Sequence, residues 1–149
     1  MKISTKGRYG LRALLDLAVH SKGEHVALSN IAERQGISEN YLEQVFSSLR
    51  KSGIIKSVKG AQGGYTLADK TTNIRVGRIL RVLEGDLAVV QDDSDHSENY
   101  YESIQYCLQL NVWDKMSESI NNFVDSITLE DLVHDYKALH NEIGDMYYI

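Results

Sequence analysis

The chain has 149 residues, of which 42% are hydrophobic and 25% are charged, and this fits one folded domain or a small domain with an appendage. No apolar run approaches the roughly 18 residues that would span a bilayer. Residues 1–6 lack the apolar core of a signal peptide, and the one cysteine excludes an intramolecular disulfide. We therefore expect a cytoplasmic protein without a membrane partner.

The net charge of -5 is distributed unevenly along the chain. Residues 1–81 carry 14 basic and 6 acidic side chains, a net of +8, whereas residues 82–149 carry 2 and 15, a net of -13. Such asymmetry is expected when only one half approaches a polyanion, because the acidic half then orients that approach. The alternative is that the segregated charge serves only solubility.

The N-terminal half begins with a predicted helix over residues 9–19. The spacing of its apolar residues predicts this core face: Leu11, Leu14, Leu15 and Ala18.

A helix-turn-helix motif is predicted next. A second helix over residues 29–35 ends at Gly36, since glycine accepts the left-handed conformation of a helix exit. Ser38 is a suitable N-cap for a third helix, which Gly53 ends. Two helices joined by a short glycine-containing turn are typical of DNA-binding proteins.

The third helix has a polar face opposite its predicted core. Short hydrogen-bonding groups come first and cations follow, as in helices that read the major groove. An ordinary solvated face is the alternative. The polar residues are Asn40, Tyr41, Glu43, Gln44, Ser47, Ser48, Arg50 and Lys51.

A hairpin is predicted directly after this helix. Residues 54–59 and 65–67 alternate as strands do, and residues 60–64 form a glycine-rich turn beside Lys59. A basic hairpin in this position is a wing. A nucleotide-phosphate loop is excluded, because the glycines lie between strands and no Gly-Lys-Ser/Thr follows.

The C-terminal half is predicted to be helical. A fourth helix over residues 74–84 has Ile79, Val82 and Leu83 as its predicted core. It also carries a stripe of arginines at 75, 78 and 81, which we expect near the DNA backbone. The acidic stretch 91–102 reads as a linker. A long helix then carries a narrow apolar seam suited to pairing with its twin: Tyr106, Leu110, Trp113, Met116, Ile120, Phe123 and Ile127.

A last short helix is predicted to open at Thr128, which forms a capping pair with Asp131. The predicted fold class is mostly α, with a winged helix-turn-helix domain, a small β wing and a long dimerisation helix. The predicted domains are residues 1–85, which bind DNA, and residues 86–149, which hold the acidic loop, the dimerisation helix and the tail.

These motifs resemble the Rrf2 family of winged-helix transcription regulators. The resemblance covers nearly the whole chain except region 86–105, and the Tyr-Leu-Glu-Gln and Gly-Gly-Tyr motifs are its most specific part. The matching stretches are residues 1–10, 31–38, 41–45, 49–53, 57–60, 63–67, 113–114 and 127–132.

The resemblance implies a homodimer that binds an imperfect palindrome in double-stranded DNA, and we expect a repressor rather than an enzyme. Lys59 stands where many members have arginine, which keeps the charge but loses the planar fork. Glu43 can accept from a cytosine amino group and repels the DNA backbone elsewhere. The predicted DNA-binding residues are Lys2, Ser38, Asn40, Tyr41, Glu43, Gln44, Arg50, Lys51, Lys59, Gly60, Gly63 and Gly64.

The resemblance also raises the question of which signal the protein senses. One branch of the family holds an iron–sulfur cluster through three cysteines and a histidine, and the corresponding positions here are Asp95, Tyr101, Cys107 and Leu110. Clusters are held mainly by thiolates, so we expect no cofactor; an iron–sulfur cluster would need Asp95 or His96 as unusual ligands. The histidines show no metal-ligand spacing.

Two other signals remain open, both linked to cysteine or sulfur status. A second branch comprises cysteine-metabolism repressors, and the tail Tyr147, Tyr148 and Ile149 resembles a peptide that presents its carboxylate to O-acetylserine thiol-lyase. The chain would then act as a protein-interaction module through this partner. Cys107 is a candidate thiol sensor, although its apolar neighbours favour a buried, inert cysteine.

Overall fold

A computed structural model describes residues 2–91 and 97–147, with side chains described as far as Gly144. Single turns of 3-10 helix cover Thr71–Asn73 and Tyr100–Glu102, and a π-helical turn covers Gln109–Trp113. The helices and strands are α1 (Thr5–His20), α2 (Leu28–Gln35), α3 (Glu39–Lys51), β1 (Ile55–Val58), β2 (Gly64–Leu67), α4 (Val76–Glu84), α5 (Ile104–Leu108), α6 (Asp114–Asp125) and α7 (Leu129–Tyr147). No described helix has the length and apolarity needed to cross a membrane.

The main core lies between α1, α2, α3, α4 and the start of β1. Phe46, Leu42 and Leu49 of α3 are fully buried in it, and Ile31 of α2 packs in the same cluster. The sequence predicted this face of α3 correctly, because its apolar residues recur at one-turn spacing.

The predicted core face of α1 is partly wrong. Leu14 is fully buried, but Leu11, Leu15 and Ala18 are only half-buried, and Ala13 and Leu17 are buried instead. The buried stripe begins at Gly7 and continues through Gly10, where an added Cβ would lie 2.4 Å from Leu83 Cδ1 of α4. Small residues of α1 thus form its contact with α4, and the spacing of large apolar residues alone does not reveal this face.

A second apolar cluster joins α4 to α6. Val76 and Leu80 of α4 are buried against Leu87 and Val124, whereas the predicted core residue Val82 is half-buried. The cluster forms because α4 lies between two layers and buries two faces.

Arginines of α4 reinforce this contact, and the expected DNA-facing stripe is largely engaged within the chain. Arg81 donates to Asn121 Oδ1 at 2.7 Å and to Asp125 Oδ2 at 2.7 Å. Those bonds from Arg81 hold the pKa of Asp125 below its usual value. Arg78 donates to the carbonyl of Ser52 at 3.0 Å, which fixes the C-terminal end of α3.

The predicted dimerisation helix is continuous over residues 104–125, but the π-helical turn within it inserts one extra residue per turn. The predicted apolar residues of this helix do not share one environment, because Leu110, Met116 and Phe123 are exposed whereas others are packed within the chain. Ile120 packs with the second cluster, and Ile127 lies beyond the end of α6 and packs there too.

The last helix is longer than predicted, with 19 residues rather than a short segment. Its predicted capping pair is confirmed: Thr128 N donates to Asp131 Oδ2 at 2.9 Å, and Asp131 N donates to Thr128 Oγ1 at 3.0 Å. Leu129 and Val133 anchor its first turns in the protein, while Leu139 and Ile143 are exposed.

Candidate nucleic-acid interface

The turn between α2 and α3 fixes the angle of the helix-turn-helix motif. Gly36 ends α2 in the left-handed conformation, with φ +63°. Ser38 Oγ accepts from the backbone N–H of Tyr41 at 3.4 Å, and buried Ile37 anchors the turn. The predicted N-cap is therefore in place, and the hydroxyl of Ser38 is occupied by the helix end.

A buried carboxylate ties α2 to α1. Asp16 is 4% exposed and receives hydrogen bonds from Arg34 and from Gln35 Nε2, the latter at 2.7 Å. Burial by itself would raise the pKa of Asp16, but these hydrogen bonds and the Arg34 charge outweigh it and hold the pKa below its usual value. Arg12 adds a bond to the Gln35 carbonyl at 3.2 Å.

The outward face of α3 presents hydrogen-bonding groups near its N-terminal end. Asn40, Glu43 and Gln44 are exposed, opposite the buried residues of the same helix. Both donors and acceptors are available, which is what reading base edges requires. At the other end of α3, Arg50 and Lys51 are exposed, as is Lys2 ahead of α1.

Tyr41 has a structural contact that the sequence did not reveal. It is half-buried, and its ring meets Tyr9 edge-on with centroids 6.1 Å apart. The guanidinium of Arg12 covers the Tyr9 ring at 4.7 Å. Tyr41 therefore helps to fix α3 against α1, in addition to any contact with a ligand.

The hairpin after α3 is the predicted wing. β1 and β2 are antiparallel, with Ile55 opposite Leu67 and Val58 opposite Gly64. Lys59 and Gly60 are exposed at the tip, where Gly60 has φ +125°.

Two of the wing glycines are required by close packing within the chain. A Cβ on Gly64 would lie 2.4 Å from the carbonyl oxygen of Val26, and one on Gly63 would lie 2.4 Å from that of Val58. The sequence interpretation placed Gly60, Gly63 and Gly64 in contact with a DNA ligand. Backbone-to-backbone contact accounts for Gly63 and Gly64 without one.

Tyr65 is a positioning residue that the sequence interpretation missed. Its N–H donates to the Val26 carbonyl and its carbonyl accepts from the Val26 N–H, both at 2.9 Å. Its ring packs edge-on against Phe46 with centroids 5.1 Å apart. The wing is thus fixed to α3. In the sequence, the aromatic residue next to Gly64 is the signal that could have indicated this contact.

A groove of about 380 Å³ separates the wing from the start of α3. Glu39 and Glu43 line one wall, and Ser57, Val58 and Gly60 line the other. Glu43 therefore stands between the two elements predicted to contact DNA, where a carboxylate repels phosphate.

The expected setting of Cys107 is wrong, because the residue is exposed. Its apolar neighbours in sequence point elsewhere around α5, and its sulfur contacts Asn111 Nδ2 at 3.7 Å. Tyr101 and Leu110, at two further positions of the cluster comparison, are also exposed, while Asp95 and His96 lie outside the described residues. These side chains do not fit an iron–sulfur cluster, since one thiolate is the only soft ligand among them.

The residues predicted to mediate dimerisation occupy two environments. Leu110, Met116 and Phe123 are exposed, Phe123 at 66%. Trp113 and Ile120 are half-buried.

The predicted partner tail lies mostly outside the described residues. Tyr147 ends α7, but its side chain and residues 148–149 are not described. The enzyme-partner interpretation therefore stays a prediction.

Comparison with known proteins agrees with this arrangement. The profile of the Rrf2 family, described as an iron-dependent transcriptional regulator, matches residues 3–135. The HTH-type transcriptional regulator IscR of Vibrio atlanticus is 40% identical over 145 residues, which are 97% of this chain and 81% of the relative.

Two solved structures are similar over most of their length. CymR, the global cysteine regulator of B. subtilis, is 38% identical with a TM-score of 0.74, over 90% of this chain and 97% of CymR. IscR of T. potens is 46% identical with a TM-score of 0.72, over 91% of this chain and 88% of that chain. The predicted family and fold class are therefore confirmed. The chain belongs to the Rrf2 family of transcriptional regulators and is not an enzyme.

Proposed function

We propose that this regulator is a repressor that binds an imperfect DNA palindrome as a homodimer. The observation that carries the proposal is the exposed polar face of α3, with Asn40, Glu43 and Gln44 beside a wing that ends in Lys59. α3 enters the major groove, and the wing reaches the adjacent minor groove. The contacts of Tyr65 with Val26 and Phe46 support this geometry, because they hold the wing in a fixed position beside α3.

A homodimer suits binding to a palindrome, because the two-fold symmetry of the protein then matches the two-fold symmetry of the DNA site. The exposed apolar residues of α5, the π-helical turn and α6 supply the surface, with Leu108 at 44%, Leu110 at 48% and Met116 at 46% exposed. Water contact with this many apolar side chains is unfavourable, and pairing with a second copy removes it.

Selection of binding sites from a random duplex pool tests the proposal. Gln44→Ala is expected to change the preferred bases, whereas Lys59→Ala lowers affinity for all sequences alike. Lys137→Ala, which removes an exposed cation from α7, is the matched control and is expected to bind like the parent. If both test variants bind every duplex like the parent, the proposed docking is wrong.

A thiol signal at Cys107 is a second element of the proposal, favoured by the exposure of the sulfur. Reversible oxidation of this thiol would report sulfur or redox status to the helices beside it. Treatment with hydrogen peroxide is expected to change DNA affinity of the parent but not of Cys107→Ser. An equal response of both proteins would exclude the thiol.

The enzyme-partner and cluster interpretations each have a direct test. Deleting residues 147–149 is expected to abolish co-purification with O-acetylserine thiol-lyase, and unchanged co-purification would exclude this tail as the contact.

Iron analysis of protein purified without oxygen is expected to detect no bound iron, because the ligand set is poor in thiolates. About two or more irons per chain would overturn that expectation.

A further inference from the structure

A cavity of about 680 Å³ lies beside the C-terminal end of α4, and no residue of the wing lines it. It is an open cavity bordered by the C-terminal end of α4, the loop that follows it, the turn at Tyr100–Glu102, α5, the π-helical turn and the start of α6. Its size falls within the range of small-molecule sites, which is roughly 300–1,000 Å³. None of the residues assigned to DNA contact lines it.

Three tyrosines form one wall of this cavity. The ring centroids of Tyr100, Tyr101 and Tyr106 lie 5.1 to 5.5 Å apart in every pairing. Ser103 holds the group together, because its Oγ accepts from the Tyr106 N–H at 3.0 Å and donates to the Tyr100 carbonyl. Tyr101 is 70% exposed, so its ring is available to a ligand.

Three carboxylates line the same cavity. Each accepts from a neutral donor: Glu84 Oε1 from Ser4 N at 3.0 Å, Asp86 Oδ1 from Ala88 N at 2.9 Å, and Asp114 Oδ1 from Gln109 Nε2 at 2.6 Å. Among the described residues, none of the three forms a salt bridge with a lysine, arginine or histidine. The nearby Arg81 is paired with Asp125.

Aromatic faces and carboxylates favour the same kind of ligand. The negative face of a tyrosine ring attracts cations, and a carboxylate does so more strongly. Anions are disfavoured for the same reason. A single metal ion fits poorly, because no three His, Cys, Asp or Glu side chains of the described part converge to hold one.

We propose that the cavity binds a small organic cation with an apolar stem, of the alkyl diamine class. One ammonium group lies against the Tyr101 ring and pairs with Asp114, the other pairs with Asp86 or Glu84, and the stem packs on Tyr106. The site is separate from α3 and the wing, so its test does not depend on DNA binding.

Calorimetric titration of the full chain with putrescine tests the proposal. The expected result is saturable binding with one site per chain, and no saturable binding of 1,4-butanediol, which has the same length without charge. Tyr101→Leu and Asp114→Asn are each expected to weaken putrescine binding by about two- to five-fold. Circular dichroism checks the fold, which the exposure of Tyr101 and Asp114 should preserve.

Glu118→Gln is the matched charge control, because Glu118 is exposed on α6 and does not line the cavity. This variant is expected to bind putrescine like the parent. The proposal is overturned if putrescine gives no saturable heat, if Tyr101→Leu binds like the parent, or if Glu118→Gln weakens binding as much as Asp114→Asn. The last result would show attraction to the acidic half in general.

Discussion

The carboxylate of buried Asp16 on α1 accepts two aligned hydrogen bonds from the guanidinium of Arg34 on α2, from Nη2 at 2.7 Å and from Nε at 3.0 Å. This pair joins the scaffold helix to the first helix of the helix-turn-helix motif. The orientation of α3 follows from it, because only a three-residue turn separates α2 from α3.

Replacing Asp16 with Asn is expected to lower the free energy of unfolding by about 2 kcal/mol, since it removes a charge-assisted acceptor pair from a buried site. The Arg34 side chain is 34% exposed, so water partly compensates it and limits the loss. Urea denaturation measures the difference. Asp135→Asn, at an exposed position of α7, is the control, and an equal effect of both changes would contradict the role of Asp16.

The same pair predicts an acid dependence of stability. Because the folded-state pKa of Asp16 lies below its unfolded value of about 3.9, its contribution is present above that value and is lost as the pH falls through the folded pKa. The stability difference between the parent and Asp16→Asn is therefore expected to shrink when denaturation is repeated from pH 7 down to acid pH. A difference that stays constant would show that Asp16 does not act through its charge.

Gly64→Ala is expected to detach the wing from Val26, because the new Cβ would lie 2.4 Å from a backbone oxygen that cannot move freely. Both the melting temperature and DNA affinity should fall. Gly144→Ala places the same methyl group in α7 with nothing within 4 Å, and it should stabilise the protein by up to about 1 kcal/mol. Thermal melts of both variants measure the difference. An unchanged melting temperature of Gly64→Ala would contradict the close packing of Gly64 against Val26.

Phe123→Glu is expected to shift the protein toward monomers in sedimentation velocity, because a charge on the exposed face of α6 would be buried in the dimer. Val58→Glu introduces the same charge at a wing residue that is 41% exposed, and it should leave the assembly unchanged. A Phe123→Glu protein that sediments like the parent would place the dimer contact elsewhere.

The sequence predicted the helix-turn-helix and wing well, because those features depend on local signals. Gly36, Ser38 and the one-turn apolar spacing of α3 each act within a few residues. The burial of Asp16 was not predictable in this way, since its partners Arg34 and Gln35 lie on another helix.

The C-terminal half was predicted less well for the same reason. The π-helical turn at Gln109–Trp113 has no residue signature in this chain, and it alters which apolar residues face outward. Cys107 was expected to be buried from its sequence neighbours, but neighbours along a helix point in different directions. The tyrosine wall of the cavity forms only when the turn before α5 brings its three rings together.

DNA affinity as a function of salt concentration tests the central claim most directly. For the parent, log affinity is expected to fall linearly with log salt, and Lys59→Ala should reduce that slope by about 1 because it removes one phosphate contact. Lys137→Ala should leave the slope unchanged. A salt-independent affinity, or the same slope for all three proteins, would contradict a wing that contacts the DNA backbone.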